Sequence, residues 1–217
     1  MQESAVLALY GHPFSSYTWK AQIALHALGL DYDFRVLEQD HPENGAFVAE
    51  RGGPQGLFPV LADGDRVVFE ASAIIEYLDE HKRQLIPAEA ATDIRMLDRV
   101  FDNYVMNVMQ GAVAEAIRHP DNPDAQVLAD VRTRLQRTYA WLERWLEGYV
   151  RPAGVTMIEC AAAPSLFYAD WVDQIGDEYP RLKAWRAHLN ALPEVSRCIE
   201  AARPFRAYFP LGAPDRD

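Results

Sequence analysis

The feature that most limits the fold of this chain is the order of strand and helix patterns in its first part. Residues 5–10, AVLALY, are a short apolar run typical of a buried strand. Apolar residues then recur at helical spacing from about Tyr17 to Leu28, and Gly29 is suited to end that helix. The segment YDFRVLE alternates in the manner of a second strand. A strand, a helix and a strand in this order predict a right-handed βαβ unit with parallel strands.

A second pair of strands follows a segment rich in proline and glycine. Residues 41–56 carry enough of these residues to predict a loop. In FPVLADGDRVVFE, Asp63-Gly64 separates two strand-like runs, which predicts a β-hairpin. The helical pattern SAIIEYLDEHK comes next. We therefore predict an α/β domain over residues 1–82, with a mixed sheet of four strands and the order βαβ–ββα.

The rest of the chain carries helical patterns only. Thr156 and Glu159 have the spacing of a capping box and precede a helix of small residues, CAAAPSLFYADWV. Further helical spacing covers residues 92–118, 124–149, 182–192 and 193–202. Residues 90–217 are predicted to form an all-α domain.

Charge and cysteine content exclude several classes of protein. The 217 residues carry a net charge of −11 without a Lys/Arg run, which disfavours nucleic acid and anionic membrane surfaces as partners. The start MQESAVLALYG lacks the basic region of a signal peptide, and no apolar segment is long enough to span a membrane. Cys160, Cys198 and the histidines show no metal-ligand spacing. A soluble, cytoplasmic protein without a metal is expected.

Three short elements of the first domain carry candidate chemistry. The Phe58-Pro59 step opens a hairpin strand, where a proline is either an ordinary trans residue or a cis residue. A cis bond would leave the N–H and C=O of Phe58 free to pair with an extended peptide. In FEASAI, Glu70 and Ser72 either cap the next helix or bind a ligand. In the second case the helix N–H groups would receive a carboxylate, and Glu70 would take an ammonium group.

The third element is a cluster of hydroxyl side chains at the start of the first helix, formed by Tyr10, Ser15, Ser16 and Tyr17. Serine at this place commonly caps a helix. A hydroxyl there also donates to a thiolate, which the helix dipole stabilises further. The three elements together describe a site for a thiol peptide with a free amino-acid end.

The segments SSYTWK, PQGLFPVL, FEASAIIEYL and TMIECAAAPSLFYAD resemble, in order and spacing, those of the cytosolic glutathione transferase family. The resemblance extends over nearly the whole chain, and SSYTWK is similar to serine-type branches such as zeta, theta and many bacterial members. It implies a thioredoxin-like first domain, glutathione as co-substrate, a small hydrophobic electrophile and a homodimer.

The resemblance also implies roles for single residues. Ser15 would stabilise the thiolate, with Ser16 as second and Tyr10 as third candidate. Pro59 would be a cis-proline, and Phe58 would pair with the cysteinyl backbone. Glu70, Ala71 and Ser72 would hold the γ-glutamyl end, whereas His41, Arg51 or Gln55 could approach the glycyl end. The electrophile site would lie between the domains, lined by Phe14, Tyr104, Val108 and the segment FRAYFP.

One departure from the family pattern concerns Ala71, where the family usually has serine after the acidic residue. Losing a hydrogen bond to a charged group costs about 1.5–3 kcal/mol, so weaker glutathione binding is expected unless Ser72 or water compensates. The expected function is a glutathione transferase of the detoxification type. Two alternatives are a zeta-type glutathione-dependent isomerase and a non-catalytic binding or regulatory protein with this fold.

Overall fold

The computed structural model describes residues 7–217 and begins with one mixed sheet. Its strands are β1 (Leu7–Gly11), β2 (Tyr32–Val36), β3 (Val60–Asp63) and β4 (Arg66–Phe69), in the spatial order β2-β1-β3-β4. Strand β1 pairs parallel with β2, and β3 is antiparallel to both β1 and β4. The predicted parallel βαβ unit and the hairpin are confirmed. Residues 5 and 6 of the predicted first strand lie outside the described residues.

Helices cover both faces of this sheet. They are α1 (Ser16–Ala27), α2 (Pro42–Arg51) and α3 (Ala71–Asp79). Helices α1 and α3 close one face over a buried cluster made by Leu9, Ala21, Leu25, Leu61 and Ile74. On the other face, the Tyr10 ring stacks on Phe47 of α2 with 4.2 Å between ring centroids.

The prediction of a loop over residues 41–56 is wrong, because α2 occupies most of that segment. Pro42 stands at the first helical position, where its missing N–H costs nothing. Glu43 in the first turn and Arg51 in the last turn both suit the helix dipole. The buried Asn44 side chain donates to the carbonyl of Val36 at 2.8 Å, which ties the helix to β2.

The helical region that follows contains α4 (Ala91–Val100), α5 (Asn107–Arg118), α6 (Ala125–Trp145), α7 (Met157–Val172), α8 (Pro180–Ala191) and α9 (Pro193–Ala202). A π-helical stretch, Phe101–Met106, joins α4 to α5, so the predicted helix over 92–118 is one continuous helical rod. Short 3-10 helices lie at Ala88–Ala90 and Arg203–Tyr208. In the part of the chain that the structure describes, no helix combines the length and apolarity needed to cross a membrane.

Helix α7 forms the centre of the helical region and also supports the first domain. It opens with the predicted capping box: Oγ1 of Thr156 accepts from the Ile158 N–H, and Oε2 of Glu159 accepts from the Thr156 N–H at 2.8 Å. Its Phe167 and Tyr168 rings pack on Trp19 of α1, with centroids 5.0 and 5.3 Å away. Helix α1 is therefore held between the sheet and the helical region, which fixes the position of its N-terminus.

Candidate functional site

The candidate site is a cavity of about 320 Å³ between the first domain and the helical region. The first domain contributes Tyr17, Gly52, Leu57, Phe58, Pro59, Phe69, Glu70 and Ala71. The helical region contributes Arg99, Asp102, Asn103 and Asn107. The cavity thus contains four of the predicted site residues, Phe58, Pro59, Glu70 and Ala71.

The Phe58–Pro59 peptide bond is cis, which the residues had left open and the family resemblance had implied. Pro59 is buried, while the Phe58 side chain is exposed. Between described residues, neither the N–H nor the C=O of Phe58 forms a hydrogen bond. Phe58 lines the cavity, and both of its main-chain groups are available to an extended peptide.

The start of α3 presents unused donors to the same cavity. The Glu70 backbone adopts a φ of +69°, a conformation that a non-glycine residue adopts at a cost and that is common at functional sites. The Glu70 carbonyl accepts the Ile74 N–H at 2.9 Å, and no side chain caps the helix. The N–H of Ala71 belongs to this uncapped first turn, so a carboxylate fits here and the exposed Glu70 carboxylate fits an ammonium group.

Ser72 points away from the cavity. It is only 6% exposed, and its hydroxyl donates to Oδ2 of Asp98 at 2.8 Å and accepts from Nζ of Lys20 at 2.8 Å. The hydroxyl is thus committed within the protein. The sequence analysis had offered Ser72 as compensation for the missing hydroxyl at Ala71, and this geometry does not place it in that role.

Lys20, Ser72, Asp98 and Asp102 form a buried cluster where the two parts of the chain meet. The Lys20 ammonium lies 2.6 Å from Oδ1 of Asp98 and 2.7 Å from Oδ1 of Asp102. Burial raises the pKa of the Asp102 carboxyl above its ordinary value, although the charge of Lys20 opposes this shift. The cluster links α1 and α3 to the rod formed by α4 and the π-helical stretch, and its Asp102 is one of the residues that line the cavity.

Tyr17 is a cavity residue to which the sequence analysis gave no role. Its hydroxyl donates to Oδ1 of Asn107 on α5 at 2.7 Å. Burial, followed by the negative charges of Asp102 and Glu70, raises the pKa of the Tyr17 phenol strongly, so it stays protonated at neutral pH. The signal that could have revealed it was its place in the hydroxyl-rich start of α1.

Ser15 is the N-cap of α1. Its Oγ accepts the Thr18 N–H at 3.2 Å, and its main-chain N–H donates to the carbonyl of His12 at 3.0 Å. The side chain is half-buried. Accepting the cap bond leaves the hydroxyl proton of Ser15 free to be donated elsewhere. Capping and donation to an anion are therefore compatible in this one side chain.

Ser16 faces a second, smaller cavity of about 170 Å³. The walls are apolar or aromatic apart from Ser16 and Gln110, and they consist of Phe14, Met109, Val113, Ile117, Tyr168, Tyr208, Phe209 and Pro210. The Gln110 amide lies 3.5 Å from Oγ of Ser16. Of the residues expected at the electrophile site, Phe14 and the last three residues of FRAYFP (Tyr208, Phe209 and Pro210) line this cavity. Tyr104 and Val108 do not line it, because Tyr104 is largely exposed to solvent and Val108 is buried in the core.

The remaining sequence candidates lie elsewhere. Tyr10 and Arg51 line a separate cavity on the α2 side of the sheet. His41 is exposed and lies 3.3 Å from Glu43, and Gln55 is exposed in the turn after α2. The structure therefore does not bring Tyr10, His41, Arg51 or Gln55 into the lining of the cavity that contains Glu70, and neither Ser15 nor Ser16 is among its lining residues. From residue 7 onward, no group of three or more histidine, cysteine or acidic side chains is arranged to hold a metal ion.

Comparisons with known proteins agree with the fold. The family model described as glutathione S-transferase, N-terminal domain, matches residues 9–84. A curated relative from Vibrio cholerae, a probable maleylacetoacetate isomerase, is 27% identical over 91% of this chain and 97% of its own. Glutathione S-transferase 1 of Dianthus caryophyllus is 29% identical over 68% of each chain. A glutathione S-transferase structure from Methylobacillus flagellatus, with glutathione bound, is 23% identical, covers 88% of this chain and 98% of its own, and has a TM-score of 0.76.

Proposed function

We propose that the chain is a member of the cytosolic glutathione transferase family and binds glutathione in the cavity around Glu70. In this proposal it holds the thiol as a thiolate beside Ser15 and transfers it to a small hydrophobic electrophile. The observation that supports it most is the meeting of Phe58, Glu70 and the uncapped start of α3 in one cavity.

These groups suit two of the three residues of the tripeptide. The free N–H and C=O of Phe58 suit the cysteinyl main chain, because an extended peptide pairs with such groups as an added strand. The Glu70 carboxylate suits the γ-glutamyl ammonium group, and the N–H of Ala71 suits its carboxylate. A cavity of about 320 Å³ lies within the range usual for small-molecule sites.

Activation of the thiol is assigned to Ser15. A free thiol has a pKa of about 8.5, and lowering it by two units requires roughly 2.7 kcal/mol of preferential stabilisation of the thiolate. A hydrogen bond from the Ser15 hydroxyl, together with the positive end of α1, acts in that direction. Ser16 remains the second candidate, and Tyr10 is the weakest because its ring lies on the α2 side of the sheet.

The smaller cavity lined by Ser16 and Phe14 is proposed as the electrophile site. Its aromatic and aliphatic walls favour an apolar substrate, and the Gln110 amide offers one polar contact. Holding thiolate and electrophile next to each other supplies much of the rate enhancement through positioning. A cytoplasmic homodimer is proposed from family membership.

Glutathione binding and turnover test this function together. Calorimetry of the whole chain with glutathione should show saturable binding, and a chromogenic aryl halide should be consumed with loss of thiol. Glu70→Gln should weaken glutathione binding about tenfold, since one charge-assisted contact is lost. Glu76→Gln is the matched control, because Glu76 is an exposed residue on the same helix that pairs with Arg95. Absence of glutathione binding by the unmodified chain contradicts the proposal.

A glutathione-dependent isomerase is the second candidate. It is favoured by the similarity to the Vibrio cholerae relative over nearly the whole length of both chains. In an isomerase the thiolate adds to the substrate and leaves again, so total free thiol stays constant during turnover. In a transferase one thiol is lost for each molecule of product. Titrating free thiol against product therefore separates the two.

A further inference from the structure

Ala71 leaves the proposed site without a side-chain hydroxyl for the γ-glutamyl carboxylate. A γ-glutamyl carboxylate placed at the start of α3 would find main-chain N–H groups there but no hydroxyl on Ala71. The neighbouring Ser72 hydroxyl is occupied by Lys20 and Asp98 inside the protein. Main-chain donors alone would hold a carboxylate more weakly than donors that include a charged side chain.

Arg99 lies in the same cavity and comes from the other part of the chain. It stands on α4 and shares the cavity wall with Glu70 and Ala71. Its side chain is 55% exposed, and no other basic residue is among those described as lining this cavity. The cavity therefore has one cationic group close to the start of α3.

The guanidinium of Arg99 is positioned by two carboxylates that do not occupy all of its N–H donors. Its Nη2 lies 3.0 Å from Oδ2 of Asp98, and its Nη1 lies 3.9 Å from Oδ2 of Asp102. Both carboxylates also bind the Lys20 ammonium, which offsets part of their charge. An arginine has five N–H donors in a fixed plane, so this arrangement leaves donors for a second carboxylate.

The charges around the cavity match an amino-acid zwitterion. Glu70 of the first domain and Asp102 of the helical region supply negative charge, whereas Arg99 and the start of α3 supply positive charge. An α-amino-acid group carries one ammonium and one carboxylate on the same carbon. Glu70 would take the first of these and Arg99 the second.

We propose that Arg99 binds the α-carboxylate of the γ-glutamyl group and replaces the hydroxyl that Ala71 lacks. The inference rests on the proposed binding of glutathione in this cavity. It makes the helical region, through α4, part of the recognition of the peptide and not only of the electrophile. Arg99 is then a specificity-determining residue for peptides with a free γ-glutamyl end.

The test compares two ligands on matched variants by calorimetry. The ligands are glutathione and the analogue in which 4-aminobutyryl replaces γ-glutamyl, so that only the α-carboxylate is missing. Arg99→Gln should weaken glutathione binding about 10- to 100-fold and leave binding of the analogue nearly unchanged. Equal losses for both ligands, or an unchanged affinity for glutathione, overturn the inference.

Three further variants separate this effect from damage to the fold. Arg95→Gln removes an exposed arginine one turn earlier on α4, whose partner is Glu76, and should leave both affinities unchanged. Arg99→Lys keeps the charge but loses the planar donor set, so it should recover only part of the affinity. Adding Ala71→Ser to Arg99→Gln should restore glutathione binding several-fold, and absence of any rescue contradicts the stated division of roles.

The outcomes also distinguish this inference from the proposed function. If the unmodified chain binds glutathione and Arg99→Gln binds it equally well, the function stands and the role of Arg99 is refuted. If the unmodified chain does not bind glutathione, both are refuted.

Discussion

The Tyr17 hydroxyl donates to Oδ1 of Asn107 at 2.7 Å, and this bond connects the first helix to α5 across the candidate cavity. Tyr17→Phe removes the bond while keeping the ring. We expect the free energy of unfolding to fall by about 0.5–1.5 kcal/mol, the usual net value of one hydrogen bond. Urea unfolding of Tyr17→Phe, Asn107→Ala and the double variant measures the coupling. Strictly additive effects of the two changes contradict a direct stabilising contact.

Lys20 offsets part of the charge of two buried carboxylates, so its removal should be far more damaging. Lys20→Met leaves Asp98 and Asp102 without the ammonium that now lies within 2.7 Å of both. Breaking a buried ion pair in this way costs about 3–5 kcal/mol. The matched control is Lys183→Met, because Lys183 pairs with Asp177 on the surface and such pairs contribute about 1 kcal/mol or less.

The loss of unfolding free energy caused by Lys20→Met should also depend on pH, because Asp102 titrates. Burial raises the folded-state pKa of this carboxyl, so the stability linked to its protonation is full below the unfolded value near 4 and is lost as the pH rises through the folded value. Removing the lysine raises that pKa further. The variant should therefore be closer to the unmodified chain at about pH 5 than at about pH 8 in urea unfolding. If Lys20→Met lowers the free energy of unfolding equally at both pH values, this account is contradicted.

The capping box at the start of α7 gives a prediction about stability alone. Thr156→Ala removes the acceptor for the Ile158 N–H and the donor to Oε2 of Glu159, which now lies 2.6 Å away. Because the box is buried at the head of the central helix, we expect a loss of about 1–2 kcal/mol. Thr133→Ala on the exposed face of α6 is the control and should change stability by less than about 0.5 kcal/mol. Equal melting temperatures for the two variants would refute the role of the box.

Substrate access to the smaller cavity is testable at Val113, a half-buried residue in its wall. Val113→Trp should fill much of the roughly 170 Å³ available. The expected result is a KM for the electrophile that rises by about tenfold or more, with glutathione affinity unchanged, because glutathione is assigned to the other cavity. Steady-state kinetics with each substrate varied in turn measure both values. A loss of glutathione affinity without an effect on the electrophile shows that the two sites are assigned wrongly.

The sequence predicted correctly those elements whose local residue pattern agrees with the structure that they adopt. Asp63-Gly64 has the chemistry of a hairpin turn, and Thr156 with Glu159 has that of a capping box, so both were read correctly. Helix α2 was missed because Pro42 and Gly45 indicate a loop when they are read by composition. The anchoring that overrides this signal, from Asn44 to the carbonyl of Val36, is a tertiary contact that no local pattern shows.

The candidate site was likewise predicted only in part from the sequence. Phe58, Pro59, Glu70 and Ala71 were predicted from short segments and lie in one cavity. The polar wall from the helical region was not predicted, because side chains such as those of Arg99 and Asn107 look like the solvated face of a helix when only spacing is considered. Which of them faces the first domain is decided by the packing of α1 against α7 and by the Lys20 cluster.

The central claim is that Ser15 stabilises a thiolate, and the ultraviolet absorbance of bound glutathione against pH tests it most directly. In the unmodified chain the apparent thiol pKa should lie about two units below its solution value near 8.5. Ser15→Ala should return it close to that value, whereas Ser15→Thr, which keeps a hydroxyl and a helix cap, and Ser16→Ala should leave most of the shift in place. A bound thiol with an unshifted pKa, or a shift that survives Ser15→Ala, contradicts the account.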